Sequence, residues 1–243
     1  MRIRAAAVDD APAMGRVMVE AWLSAHRGQM PEALWQKRVE EWTPQVSAAA
    51  WARLLAEQLQ GEAARVVVLV AEEPGHGSDP LALVMADQAE EDTSGSTAQV
   101  GALYVRPDRR GQGIGRALLG QAARELAGLG FSALHISVLT ANRPARAFYE
   151  AIGGQEIGQR TFDEEGVLLP GTVYAWPDIT ALAGGDAQLA QAVPATRPHI
   201  GRVARSLTRV PGHGWCGDHD RGPPGCSVAT GGPGTSARRG GCR

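Results

Sequence analysis

The sequence predicts an α/β fold in which a central mixed, mostly antiparallel sheet is flanked by helices. Three observations carry that expectation. Three strand-length apolar runs between residues 65 and 105 are joined by short polar turns, the pattern of an antiparallel meander. Alternating glycines at Gly111, Gly113 and Gly115 then open straight into an amphipathic helix. A further apolar strand, residues 133–139, follows that helix, and a strand–helix–strand unit returns in parallel.

In chain order, residues 3–8 read as a first strand. Asp9 or Asp10 then caps a helix to about residue 25, with Met14, Val17, Met18, Ala21 and Trp22 along one face. Pro31 suits the start of a second helix carrying Leu34, Trp35 and Val39, and residues 47–60 form a third around Trp51, Leu54, Leu55 and Leu59. Four of the six tryptophans fall between residues 22 and 51; they read either as helix packing or as the lining of a pocket. Residues 65–72, 81–89 and 99–105 are the three strands of the meander. The helix after the glycines carries Ile114, Leu118, Leu119, Ala122, Ala123, Leu126 and Leu129, and ends at Gly128 and Gly130. Pro144 begins another helix, through Phe148 and Ile152, and strands 156–162 and 167–176 close the fold.

Residues 1–183 hold 16 basic and 23 acidic side chains, a balance that argues against nucleic acid and suits a cationic ligand. No run of about 20 apolar residues is present, so no membrane span is expected. The first ten residues lack the apolar core of a secretory signal, and the expectation is a soluble cytoplasmic protein. Cys216, Cys226 and Cys242 all fall in the last thirty residues, so the domain is expected to use neither disulfides nor cysteine-held metal. That domain is expected over residues 1–180. A Gly/Arg/Pro-rich tail, residues 181–243, follows it; from residue 184 on it holds 13 glycines, 6 prolines and no sustained period, and it is predicted to be disordered. Two other readings of the tail stay open. One is an out-of-frame extension of a coding region; the other is a metal site from His213, Cys216, His219 and Cys226, whose spacing matches no closed zinc pattern.

A strand end, a glycine loop and a helix start, in that order, predict a phosphate-bearing ligand. Glycines let the backbone come close, and first-turn amides form an anion site. A dinucleotide fingerprint, Gly-x-Gly-x-x-Gly, fails here, because counting from Gly111 or Gly113 its third glycine falls on Arg116 or Leu118. Arg110-Gly111-Gln112-Gly113-Ile114-Gly115 matches in full a different signature: Arg or Gln, two residues, Gly, one residue, then Gly or Ala. About thirty residues on, Asn142, Ala145, Phe148, Tyr149 and Gly153 match its companion motif. With both motifs in place, roughly residues 1–178 resemble the GNAT superfamily of acetyl-CoA-dependent N-acetyltransferases.

The resemblance implies acetyl-CoA as cosubstrate and a primary amine of a small molecule or peptide as acceptor, attacked directly in a ternary complex. It implies that the amides of Arg110, Gly111, Gln112, Gly113, Ile114 and Gly115 hold the pyrophosphate, with Arg116 either a further contact or a solvated side chain. The backbone of Leu103, Tyr104 and Val105 would pair with the pantetheine arm, beside a bulge that splays this strand from the next. Asn142, Ala145 and Tyr149 share one helix face by their spacing, with Phe148 and Ile152 packed elsewhere. Asn142 either binds the arm or caps the helix. Tyr149, protonated at neutral pH, is the expected catalytic donor to the departing thiolate.

The acceptor must also lose a proton. For an alkylamine this costs roughly 4.6 kcal/mol at pH 7, and for an α-amino group about 1 kcal/mol. Relatives often carry a glutamate on the strand before the loop, but Gln99-Val-Gly-Ala-Leu-Tyr-Val105 has none. Asp87, Glu90 and His135 are the candidate bases, His135 reading equally as a structural histidine. Gly154 is a second departure, at a position where the family often has an aromatic residue. A non-catalytic acetyl-CoA-binding sensor of the same fold is the competing class. A homodimer stays open, and neither nucleic acid, membrane nor metal is expected as a partner.

Overall fold

A computed structural model of the chain describes residues 1–59, 65–75 and 79–183. The tail from residue 184 on, with the metal reading of its cysteines and histidines, lies outside these residues. Seven strands form one sheet: β1 (Arg2–Ala5), β2 (Val67–Glu72), β3 (Ala82–Gln88), β4 (Thr97–Val105), β5 (Ala133–Leu139), β6 (Gln155–Glu164) and β7 (Val167–Trp176). Their order across the sheet is β1-β2-β3-β4-β5-β7-β6. All neighbours are antiparallel save β4 and β5, which are parallel. The expected mixed, mostly antiparallel sheet is therefore what forms, and the parallel pair falls where a helix makes the crossover.

The helices are α1 (Ala11–His26), α2 (Glu32–Glu41), α3 (Pro44–Leu59), α4 (Ile114–Gly128), α5 (Arg143–Ala151) and a short α6 (Thr180–Ala183). Along β2, Val68 and Val70 meet Met14, Val17, Trp51 and Leu55 of α1 and α3, while Leu69 and Ala71 meet the core under α4. Both faces of the strand are covered, so it reads as an unbroken apolar run rather than an alternating one. On the α4 side Leu118, Leu119 and Leu126 are 0% exposed, each burial stabilising by about 1.5–3 kcal/mol. The turn of α6, which no periodicity announced, docks Leu182 onto that core. Among the described residues no helix is long and apolar enough to cross a membrane.

Two expectations about the first elements need correction. β1 stops at Ala5, because residues 8–10 tighten into a 3-10 turn instead of continuing the strand. Asp10 does not cap α1 with its side chain: its carboxylate accepts from the Ala7 amide (2.8 Å) and from the Arg4 guanidinium (2.6 and 2.8 Å). Arg4 in turn donates to Glu72, so the sheet edge and the start of α1 are fastened by one ionic cluster.

α2 rests on the β6–β7 hairpin. Leu34 packs with Leu139, Phe162 and Leu169, and the Arg38 guanidinium pairs with the Glu164 carboxylate, both side chains only 1% exposed. Burial pushes the Glu164 carboxyl above its ordinary pKa, with Arg38 pulling the other way. Trp22 stacks on Trp35 at 6.0 Å and meets Trp42 edge-on at 4.9 Å, closing the space between α1 and α2.

Candidate active site

β4 and β5 start as neighbours and part halfway. Their ladder runs from Thr97 opposite Ala133 to Val100 opposite Ile136 and stops. At the same point β4 slips against β3: Ala86 pairs with Val100 and Met85 with Ala102, leaving Gly101 as an extra, bulged residue. A Cβ there would lie 2.3 Å from the Met85 methyl, the far end of a flexible side chain that would have to swing aside. Side chains report the slip as well. Val100 belongs to the core under α4, whereas Ala102 belongs to the core under α1 and α3. A bulge bends its strand, and here the bend opens a gap between β4 and β5. The resulting cleft, of about 1120 Å³, is lined from the α1 side by Ala21, Ser24 and Ala25, and from the other side by α4 and α5.

The loop side is built from backbone. Gly111 and Gly113 have φ of 76° and 78°, a left-handed conformation that other residues adopt only under strain. The amides of Gly111, Gln112 and Gly113 make no hydrogen bond among the described residues, and they run directly into the free first-turn amides of α4. Gly111, Gly113, Ile114, Gly115 and Arg116 border the cleft; Gln112 does not, and its side chain is exposed, so it can contribute only its amide. Arg110 also borders the cleft, but its guanidinium ties the loop to α1 by donating to the Ala21 carbonyl (3.0 Å) and Ser24 Oγ (3.2 Å). Arg116 is exposed at the border of the cleft, where it donates to the Ala151 carbonyl at 3.2 Å and so joins α4 to α5. Leu103, Tyr104 and Val105 border the cleft along the edge that β5 has left, while β3 still pairs with their other edge.

Asn142 and Tyr149 line the same cleft from α5. The Asn142 carbonyl oxygen caps the helix by accepting from the Ala145 amide at 3.2 Å. Its amide nitrogen makes no hydrogen bond among the described residues. Tyr149 is 7% exposed, packed by Phe148, Tyr174 and Trp176 at 5.3, 5.8 and 6.3 Å between ring centroids. Burial pushes its phenol well above the ordinary tyrosine pKa. Phe148 and Ile152 do not pack elsewhere as their spacing suggested; both border the cleft, Phe148 lying against Gly115 at the helix start. At Gly154 a Cβ would lie 2.8 Å from both the Trp176 ring and the Tyr149 carbonyl, so Trp176 occupies the room an aromatic residue would need.

The α1 side is built from side chains on separate strands. Register places Asp87 opposite Gln99 and Gln99 opposite His135, a polar row across β3, β4 and β5. Gln99 and His135 border the cleft, as does Glu90 in the loop after β3, while Asp87 stands one strand behind. Burial pushes the Asp87 carboxyl up to about 6, with Gln99 opposing the shift, and its Oδ1 is buried without a hydrogen-bond partner. His26, at the end of α1, donates from Nδ1 to the Trp22 carbonyl at 2.9 Å, and burial lowers its pKa to about 4, keeping it neutral. Ser137, Gln159, Arg160 and Phe162 complete this wall, and no tryptophan borders the cleft among the described residues. Gln99, Ser137 and Arg160 escaped the reading of the sequence, because no local spacing brings β4, β5 and β6 together.

A family model described as the acetyltransferase (GNAT) family matches residues 29–153. The uncharacterized N-acetyltransferase YuaI of Bacillus subtilis is 35% identical over 88 residues, covering 36% of this chain and 50% of that protein. The thialysine N-epsilon-acetyltransferase of Bos taurus is 38% identical over 55 residues, covering 23% of this chain and 32% of that one. The chain thus spans half or less of the length of these curated relatives. Among solved structures, the PaiA N-acetyltransferase of Thermoplasma acidophilum in complex with coenzyme A is similar with a TM-score of 0.52 at 18% identity, covering 70% of this chain and 96% of that one. The yncA protein of Salmonella typhimurium with acetyl-CoA gives 0.53 at 21% identity, covering 72% and 92%. At these identities the likeness concerns the fold.

Proposed function

Because the chain belongs to the GNAT family of acetyltransferases, we propose that it transfers the acetyl group of acetyl-CoA to a primary amine of a small molecule or peptide. Attack is direct, in a ternary complex, and the unit that performs it extends past the expected boundary at residue 180 to include α6, whose Leu182 is docked on the core. The observation that carries this reading is the gap at Gly101, with unbonded loop amides at one side and Tyr149 in its wall. The residues fit the cosubstrate. Successive amides of Arg110 to Gly115, at the positive end of α4, suit a pyrophosphate. The freed edge of Leu103, Tyr104 and Val105 suits the amides of an extended arm, and the unpaired Asn142 amide group points to the same arm.

Acetyl-CoA supplies the acetyl group as a thioester, activated toward a neutral amine. The chain's own residues handle two protons. Tyr149, kept protonated by burial, donates toward the sulfur as the carbon–sulfur bond breaks. That donation is favoured because the same dry wall also raises the proton affinity of a thiolate. On the acceptor side, we assign the base to Asp87 acting through a water on its unpartnered Oδ1. A carboxyl near pKa 6 is ionised at neutral pH, yet is a stronger base than an ordinary carboxylate. Glu90 is exposed on a loop, and His135 supports the same row from β5.

An acetyl-CoA consumption screen over amino acids, polyamines and peptide N-termini tests this reading. At least one amine is expected to be acetylated, with turnover lost and coenzyme A affinity kept in Tyr149→Phe. If acetyl-CoA binds but no amine is acetylated, the cleft is that of a non-catalytic acetyl-CoA-binding module.

A further inference from the structure

Four arginines border the cleft, and three are engaged by protein on the loop side. Arg109 donates to Glu73 at 2.8 Å, Arg110 to Ala21 and Ser24, and Arg116 to Ala151. Arg160 differs. It stands on β6 and reaches over β7 to the α1 side of the cleft, where its Nη1 donates to Ser137 Oγ at 3.3 Å. Its guanidinium carbon lies 5.4 Å from the Phe162 ring centroid. The carboxylates of its own hairpin are engaged elsewhere: Glu156 with Arg146, Asp163 with the Gly166 amide, Glu164 with Arg38, and Glu165 with Lys37. No carboxylate pairs with Arg160 among the described residues. A guanidinium presents five N–H donors in a planar fork, so one hydroxyl leaves most of them without an acceptor. A half-buried cation in that state is completed best by an oxyanion.

A second feature lies at the other end of the same wall. Glu90 and Glu91 border the cleft and have no hydrogen bond or ion pair among the described residues. Asp92 beside them is different, since its carboxylate is taken up by the Ser94 and Thr97 amides of its own loop. Along β5 the order is then fixed by register: the acidic loop near Ala133, the polar row at His135, and the Arg160 anchor at Ser137, where the gap opens.

Resting on the acyl-transfer reading above, we propose that the acceptor is a small zwitterion. Its carboxylate is held by Arg160, and its ammonium is drawn toward Glu90 and Glu91. With the carboxylate at Ser137, just beyond the last paired residues of the ladder, the amine lies back along β5 beside His135 and Gln99, on the side facing Glu90 and Glu91. Polyamines lack the anion that Arg160 requires.

The test uses the full chain loaded with coenzyme A for binding and with acetyl-CoA for turnover. The probes are the free α-amino acids and a series of ω-amino acids, each beside its carboxamide, with aminomethylphosphonate and spermidine. At least one acid is expected to exceed its carboxamide by about 30-fold in kcat/KM and in calorimetric affinity. In Arg160→Gln that ratio falls to about 1, and Arg160→Lys, which keeps charge but not the fork, recovers part of it. Unchanged coenzyme A affinity in both variants certifies their folding. The proposal is overturned if carboxamides or spermidine are preferred, if an acidic peptide is acetylated while no free amino acid is, or if the ratio survives Arg160→Gln. Preference for the phosphonate overturns the carboxylate assignment. If acetyl-CoA binds and nothing is acetylated, the enzyme reading fails on its own, and the zwitterion stands or falls on calorimetric acid-over-carboxamide preference.

Discussion

The two sides of the cleft are made of different material. The loop side is mostly backbone, successive amides from residues 110–115 and a freed strand edge at residues 103–105, joined by the Asn142 and Tyr149 side chains of one short helix, α5. Its parts are close in sequence and need no side chain to be found by chance across the fold. The α1 side is side chains from β4, β5, β6 and α1, backed by Asp87 on β3, and α2 is pinned over the hairpin by the buried Arg38–Glu164 pair. The lesson is that a group recognised through main-chain amides leaves a motif, whereas a group recognised by side chains on neighbouring strands leaves none.

If the two sides are separable, changes on one should spare the other. The largest expected effect is on the α1 side. Arg38→Met strands the buried Glu164 carboxylate and should cost about 3–5 kcal/mol of stability, read by thermal or urea unfolding. Where the variant still folds, KM for the amine should rise while coenzyme A affinity holds; an equal loss of both would erase the distinction. Next, Tyr149→Phe should lower kcat by about 100-fold, equivalent to about 2.7 kcal/mol, with unchanged calorimetric affinity for coenzyme A.

Asp87→Asn comes third and has a sign that can be worked out. The folded pKa of Asp87 is raised to about 6, so its neutral form stabilises the fold at low pH and that contribution is lost as pH rises through 6. The variant should therefore be more stable than the parent at pH 8 by about 2–3 kcal/mol and no different near pH 3. Its rate profile should lose the acidic limb near pH 6; a limb that persists assigns the base elsewhere. The smallest effect belongs to the loop side. Gly113→Ala puts a Cβ on a residue at φ 78° and should cost about 1–2 kcal/mol. It should weaken coenzyme A binding in calorimetry and leave the KM of the amine alone.

Much of the fold was legible because local signals agreed. The apolar run of β2, the glycines that stop α4 and Pro144 at the start of α5 each act within a few residues. Element ends were less so: Asp10 looks like a helix cap until Arg4, six residues back, claims its carboxylate. The glycine motif and Asn142 with Tyr149 were readable as neighbours, and they border one cleft, though neither the tie of Arg116 to Ala151 nor the turn of Phe148 toward the cleft was readable. Arg160 was invisible for a plainer reason. One arginine among many in the sequence is marked out only by what fails to surround it.

Gly101 is one residue more than β3 can pair with. Delete it, and Val100, Ala102, Leu103, Tyr104 and Val105 would alternate without interruption, each still on the face it occupies now. β4 and β5 could then run together to their ends. Such a chain would keep its core, its helices and both of its motifs, and would have nowhere to put a ligand. Whether this sheet parts to make a cleft is decided by a count, odd or even, along a single strand.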